Sequence, residues 1–187
     1  LRDTAYPIRL MNAALGLLGL LFAFLLVKKL YNTDAALWTT ILIALSFDII
    51  GYTRHEGLWK ILSFSFSITT LYFYTCYLDA YKKNNLGHKI IFLFTTLFFL
   101  TLALGSRNFD PLFLMITLPL TQFLLHRGKK HLTENITFTI LVIISYLLVF
   151  FKLYPLDAQA FARDHLGVPS LTSLFGFTFL GLLKNIL

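Results

Sequence analysis

Long apolar runs stopped by pairs of basic residues are the feature that most limits how this chain can fold. Lys28-Lys29, Lys82-Lys83 and Lys129-Lys130 each stand between stretches with hardly a charge in them. A helix needs about 20 residues to cross the hydrocarbon core of a bilayer. Seven such blocks can be marked out, at about 8–27, 35–53, 58–78, 89–104, 111–125, 136–151 and 168–183. Together they take up most of the 187 residues and leave short loops and no room for a soluble domain. The composition agrees: 57% of residues are hydrophobic and 13% charged, against roughly 45–50% and about 25% in soluble domains. A water-exposed globule, a disordered chain and a disulfide scaffold are excluded, the last because Cys76 is the one cysteine.

Helices are the reading that suits these blocks. Backbone inside hydrocarbon must satisfy its own hydrogen bonds, and barrel strands would alternate polar with apolar residues, which these blocks do not. The expectation is therefore an all-α transmembrane helical bundle of about seven spans, forming a single domain over 1–187. The first block is too long for a signal-peptide core and lacks a small-x-small cleavage site, so it reads as a retained span. The three blocks between 89 and 151 are short, and their helices are expected to take in flanking polar residues. Between the last two spans, Asp157 suits the cap of a short interfacial helix over about 158–165. Gly167 ends that helix, and Pro169 suits the first turn of the last span.

The net charge of +7 would suggest nucleic acid in a soluble chain. Here the basic residues sit at span ends, as they do facing anionic headgroups, and no nucleic-acid motif appears. Loops after spans one, three and five hold eight Lys or Arg, against five in the alternate loops. With the termini the count is nine against seven. This bias places the N-terminus outside and the C-terminus in the cytoplasm. The sequon Asn135-Ile136-Thr137 then falls on the cytoplasmic side and reads as chance.

Polar residues within the blocks mark candidate sites. Asp48 sits six residues before Arg54, about 9 Å below that helix end at 1.5 Å per residue. A carboxylate at such a depth needs a reason. Arg9, in the first turn of span one, enters from the same side and can pair with it. Loops returning to this outer face also bring His55, Asp164 and His165, forming a candidate polar cluster. His88, His126 and His131 belong to the opposite face. A zinc hydrolase needs about three protein ligands and an open position, and no HxxxH or HExxH spacing is present.

Ser63, Ser67, Thr70, Tyr74, Tyr77 and Tyr81 repeat at 4-3-4-3-4, one face of a heptad seam. The bland reading is a packing seam with interhelical hydrogen bonds; the sharper one is the polar wall of a cavity. Thr39, Ser46 and Thr53 repeat at seven and can face it from span two. Gly16, Gly19 and Ala23, and Thr172 with Gly176, read as small-residue packing positions. Pro119 is expected to kink the fifth span. No GxSxG, P-loop or GxGxxG motif occurs. Transport lacks an inverted repeat and a midplane charge. Lys184 lies too near the end of the last span to hold a retinal.

The stretch from Asn12 to Trp59 resembles the start of the CREST superfamily, seven-helix membrane hydrolases that include alkaline ceramidases and adiponectin-receptor relatives. The similar features are the asparagine-led first helix, Trp38, and the run Ser46-Phe47-Asp48-Ile49-Ile50-Gly51-Tyr52-Thr53-Arg54-His55. The resemblance implies a seven-helix fold, with a serine, an aspartate and a histidine at the end of helix two. It also implies zinc, completed in that family by an HxxxH pair on helix seven. Here that region reads Asp164-His165-Leu166-Gly167-Val168-Pro169, so Pro169 stands where the second histidine is expected.

Two classes of function follow. One is an accessory or structural membrane subunit that meets lipid and other membrane subunits, with no cofactor. The other is a CREST-like, zinc-dependent lipid hydrolase using Asp48, His55 and His165. A small transporter is a third, weaker option.

Overall fold

The computed structural model describes residues 5–46, 58–106, 110–126 and 129–153. They form six α-helices and no strand: α1 Ala5–Leu30, α2 Thr33–Ala44, α3 Leu58–Lys82, α4 Leu86–Leu104, α5 Asp110–Leu125 and α6 Lys129–Leu153. The helical class expected from the unbroken apolar runs is what the chain adopts. Four helices are long and apolar enough to cross a membrane, over Arg9–Leu30, Lys60–Lys82, Leu86–Leu104 and His131–Val149. This suits a membrane-embedded protein.

The remaining two helices are shorter. In the described part of the block expected over 35–53, α2 has 12 residues, about 18 Å at 1.5 Å per residue; residues 47–53 of that block lie outside the described residues. It starts on Asn32, whose side chain accepts from Ala35 N–H at 2.8 Å, a cap that satisfies one of the free donors of the first turn. It closes at Leu45, whose N–H donates to Ile41 at 2.9 Å. α5, with 16 residues, spans about 24 Å. It is continuous through Pro119, which has no N–H to offer the Met115 carbonyl. By contrast α3 and α6 run past their apolar blocks into polar residues, reaching Lys82 and beginning at Lys129. The seventh block at 168–183 and the short helix at 158–165 lie outside the described residues.

α3 is the axis of the bundle, packed against α1, α4 and α5, while α4 and α5 also meet α6. α1 and α3 run parallel. Along α1 the buried row is Asn12, Gly16, Gly19, Ala23 and Leu26, spaced 4-3-4-3 as a helix–helix seam requires, and Gly19 of this row meets α3. Small residues let the two backbones approach. A Cβ on Gly19 would stand 2.6 Å from Phe64 Cε1 and 2.8 Å from Ser65 Oγ. That approach lets Ser65 Oγ donate to the Leu15 carbonyl at 2.6 Å, tying α3 to α1. α2 packs on α1.

The core lies on the other side of α3. Tyr74 and Tyr77 pack there with Leu97, Leu100, Leu104, Leu114, Leu118, Phe138 and Val142. Phe73 stacks on Phe99 with centroids 5.6 Å apart and planes 3° from parallel, in the offset geometry that aromatic quadrupoles favour.

Most hydroxyls stay within their own helix. Thr69, Thr70, Thr96, Thr101, Thr117, Thr121, Thr137, Thr139 and Ser145 each donate to the carbonyl four residues earlier. Such back-bonding hides a polar group where neither water nor a neighbour is at hand.

Candidate functional site

The C-terminal ends of α1, α3 and α5 meet the N-terminal ends of α4 and α6 at one end of the bundle. Lys28, Lys29, Lys82, Lys83 and Lys89 all belong to this end. The α3–α4 turn sets its geometry. Asn84 takes the left-handed conformation at φ 52°, its N–H donates to the Tyr81 carbonyl and that of Asn85 to Ala80, both at 3.1 Å. This is a Schellman ending for α3. Asn85 then caps α4, accepting from His88 N–H at 3.2 Å. Three residues thus stop one helix and start the next, and Tyr81, Lys83, His88 and Lys89 are fixed around the turn.

On one side of the turn is a network that joins four elements. The Tyr81 hydroxyl donates to Glu134 of α6 and lies 2.5 Å from His131 Nδ1. Lys89 of α4 donates to the other carboxylate oxygen of Glu134 at 2.8 Å, and its Nζ sits 4.3 Å from the Tyr81 ring centroid. His131 Nδ1 is 3.7 Å from Glu134, one turn away. The His126 ring, just past α5, meets the Tyr81 ring edge-on with centroids 4.1 Å apart. Asn135 Nδ2 donates to the His126 carbonyl at 3.1 Å, holding the end of α5 on α6. Burial lowers the His126 pKa; the Gln122 carbonyl and the Glu134 carboxylate work against this, and the nearby His131 and Lys82 work with it. His126 Nδ1 is buried without a hydrogen-bond partner.

The network continues inward along the α3 stripe. The Tyr74 hydroxyl donates to the Leu118 carbonyl at 3.1 Å, with Gln122 Oε1 as the longer alternative acceptor at 3.4 Å. Tyr77 stacks on Phe138 with centroids 5.7 Å apart. Beyond them Thr70 and Ser63 are buried and Ser67 is half-buried. Ser63 Oγ, Ser67 Oγ and Gln122 Nε2 are shielded from solvent and have no hydrogen-bond partner.

On the other side of the turn, Lys29 at the end of α1 reaches α3. Its Nζ is 2.9 Å from Asp79 Oδ2 and 3.1 Å from Cys76 Sγ. The two sets of contacts therefore clamp α1, α4 and α6 to the last turns of α3. Chemically the larger set lets the Glu134 carboxylate accept from Tyr81 and from Lys89, whose ammonium balances its charge. Among the described residues no group of three His, Cys, Asp or Glu side chains is placed to hold a metal ion.

Of the residues expected at the opposite face, Arg9 is exposed on the first turns of α1. Asp48, His55, Asp164 and His165 lie outside the described residues, so the Arg9–Asp48 pair and the His55–His165 approach lie outside them too. The stripe Ser63, Ser67, Thr70, Tyr74 and Tyr77 lies on one face of α3, turned inward. The Lys89–Glu134–Tyr81–His131–His126 assembly was not foreseen. The signal for it was present: loops with His126 and His131 return to the end where the tyrosine stripe finishes. Asn135, the sequon asparagine, is buried in α6 and bonded to the His126 carbonyl, which leaves no room for a glycan. Compared with protein-family models, curated proteins and solved structures, the chain matches none.

Proposed function

We propose that the chain is a seven-span integral membrane protein, N-terminus outside and C-terminus cytoplasmic, that acts as an accessory or structural subunit against lipid and partner helices. The observation that carries this reading is the outward apolar surface. Leu17 is 67% exposed, Phe94 67%, Ile116 68% and Leu148 62%, so α1, α4, α5 and α6 each present large side chains to their surroundings. Contiguous surfaces of this kind mark membrane or protein contacts. At the Lys-rich end, by contrast, Lys29, Asp79, Lys89 and Glu134 are engaged in joining helices. The excess of Lys and Arg in alternate loops supports the orientation.

The test is cross-linking in native membranes from photoreactive side chains placed at Phe94 and Leu148. The reading expects a defined adduct with another membrane polypeptide or with lipid, and resistance of the chain to carbonate extraction. The resemblance over Asn12 to Trp59 keeps a zinc-dependent lipid hydrolase as the second reading. Stoichiometric zinc in the purified protein, lost in His55→Ala, would put that reading first.

A further inference from the structure

We propose that a cavity at the Lys-rich end binds the phosphate group of an anionic phospholipid. The cavity has a volume of about 340 Å³ and lies where the ends of α1 and α3 meet the start of α4. That is within the size range of small-ligand sites, roughly 300–1,000 Å³. Lys29, Lys83, Asp79, Asn85 and His88 line it, over a floor that includes Phe92. The charges are unevenly committed. Lys29 already holds Asp79 at 2.9 Å, so the carboxylate is neutralised by a neighbour inside the same wall. Lys83 is exposed on the turn and brings a second positive charge with no second carboxylate in the lining. His88 stands in the first turn of α4, the end of the helix that carries its partial positive charge.

An anion is what this lining favours, and a phosphate offers enough acceptor oxygens to engage a lysine and an imidazole together. The apolar floor separates a lipid from free phosphate. Phe92, Ala80 and Cys76 give a glycerol or upper acyl segment a dry wall, which inorganic phosphate would leave unfilled. Basic pockets between helices at the membrane surface take anionic headgroups for these same reasons. The proposal rests on the reading that the Lys-rich end lies at a membrane surface, and deepens it by naming the lipid class.

Cys76, the one cysteine, is buried in the cavity wall and serves as the reporter. The full chain in uncharged detergent is treated with a maleimide while dioctanoyl phosphatidylglycerol, dioctanoyl phosphatidylcholine or sodium phosphate is added at equal concentration. The expected result is that phosphatidylglycerol slows alkylation about tenfold, an occupancy effect of ordinary size for a site about 90% filled. The neutral lipid and the free anion leave the rate unchanged. Lys83→Ala combined with His88→Ala loses the protection, while Arg9→Ala at the far end keeps it. Thermal midpoints under the same additions give a second readout: a rise with phosphatidylglycerol that the double variant lacks.

Equal protection by phosphatidylcholine would overturn the proposal in favour of apolar contact alone. Protection by inorganic phosphate would overturn the lipid source and leave an anion pocket. Protection retained in the double variant, or no effect in either readout, would overturn the site. Carbonate extraction of the chain from membranes would instead strike the membrane reading itself, so the two failures are distinguishable.

Discussion

Tyr81 and Glu134 join the last turn of α3 to the start of α6 by a hydroxyl-to-carboxylate hydrogen bond, and Lys89 of α4 holds the free oxygen of the same carboxylate. Three helices share one acceptor group. Glu134 and His131 are partly exposed, so each bond is worth about 1 kcal/mol rather than the larger sum a buried charge would give. Tyr81→Phe and Lys89→Met are each expected to lower stability by about that amount. Because both act on Glu134, their effects should not add, with a coupling of roughly 0.5 kcal/mol or more. Denaturant unfolding of the two single variants and the double variant in detergent checks this.

Gly19 is expected to reject any side chain. A methyl group there meets the Phe64 ring and the Ser65 hydroxyl below 3.0 Å, and that hydroxyl is already committed to the Leu15 carbonyl. Gly19→Ala should cost about 1–3 kcal/mol through forced separation of α1 from α3. Gly87→Ala is the comparison, since a Cβ there meets nothing closer than Asn85 Oδ1 at 3.8 Å. Thermal midpoints of both variants decide it.

Acid should weaken the Lys-rich end through His126. Its pKa is lowered in the folded chain, so the unfolded chain takes up the proton more readily. Stability is then full above the ordinary value of 6.5 and falls as the pH drops below it. His126→Gln removes the titrating group and should flatten that part of the profile. The measurement is the thermal midpoint from pH 8 to pH 5 for the two proteins. A slope that survives in His126→Gln would assign the effect to other groups.

The α3–α4 turn makes a prediction about residue type rather than charge. Asn84 holds φ 52°, where a β-branched side chain collides with the backbone. Asn84→Val should cost about 1–2 kcal/mol, whereas Asn84→Gly should be neutral or mildly stabilising. Equilibrium unfolding of the pair separates backbone strain from any role of the amide.

The helical class was legible in the chain, because continuous apolar runs allow no other backbone solution in hydrocarbon; the start of α6 was not, since it lies at Lys129 in polar sequence, seven residues before the apolar block at 136. The inward stripe from Ser63 to Tyr77 was legible for a similar reason, since a 4-3 repeat can only be one helix face. The end of α2 at Ala44 was not: apolar residues continue past it, and no glycine or proline marks the stop. The Tyr81–Glu134–Lys89 assembly was hidden for another reason. Its members come from three helices, separated by 45 positions between Lys89 and Glu134 and 53 between Tyr81 and Glu134. No local pattern links them.

Threonines that bond back to their own helix, as Thr117 and Thr137 do at exposed positions, convey nothing about which helix stands beside them. Valine has the same outline and could replace them during evolutionary drift without disturbing any neighbour. Kinship to other chains would therefore be preserved in a handful of sparse positions, Gly19, Tyr81, Asn84, Lys89 and Glu134 among them, while the bulk of the apolar text is free to be rewritten.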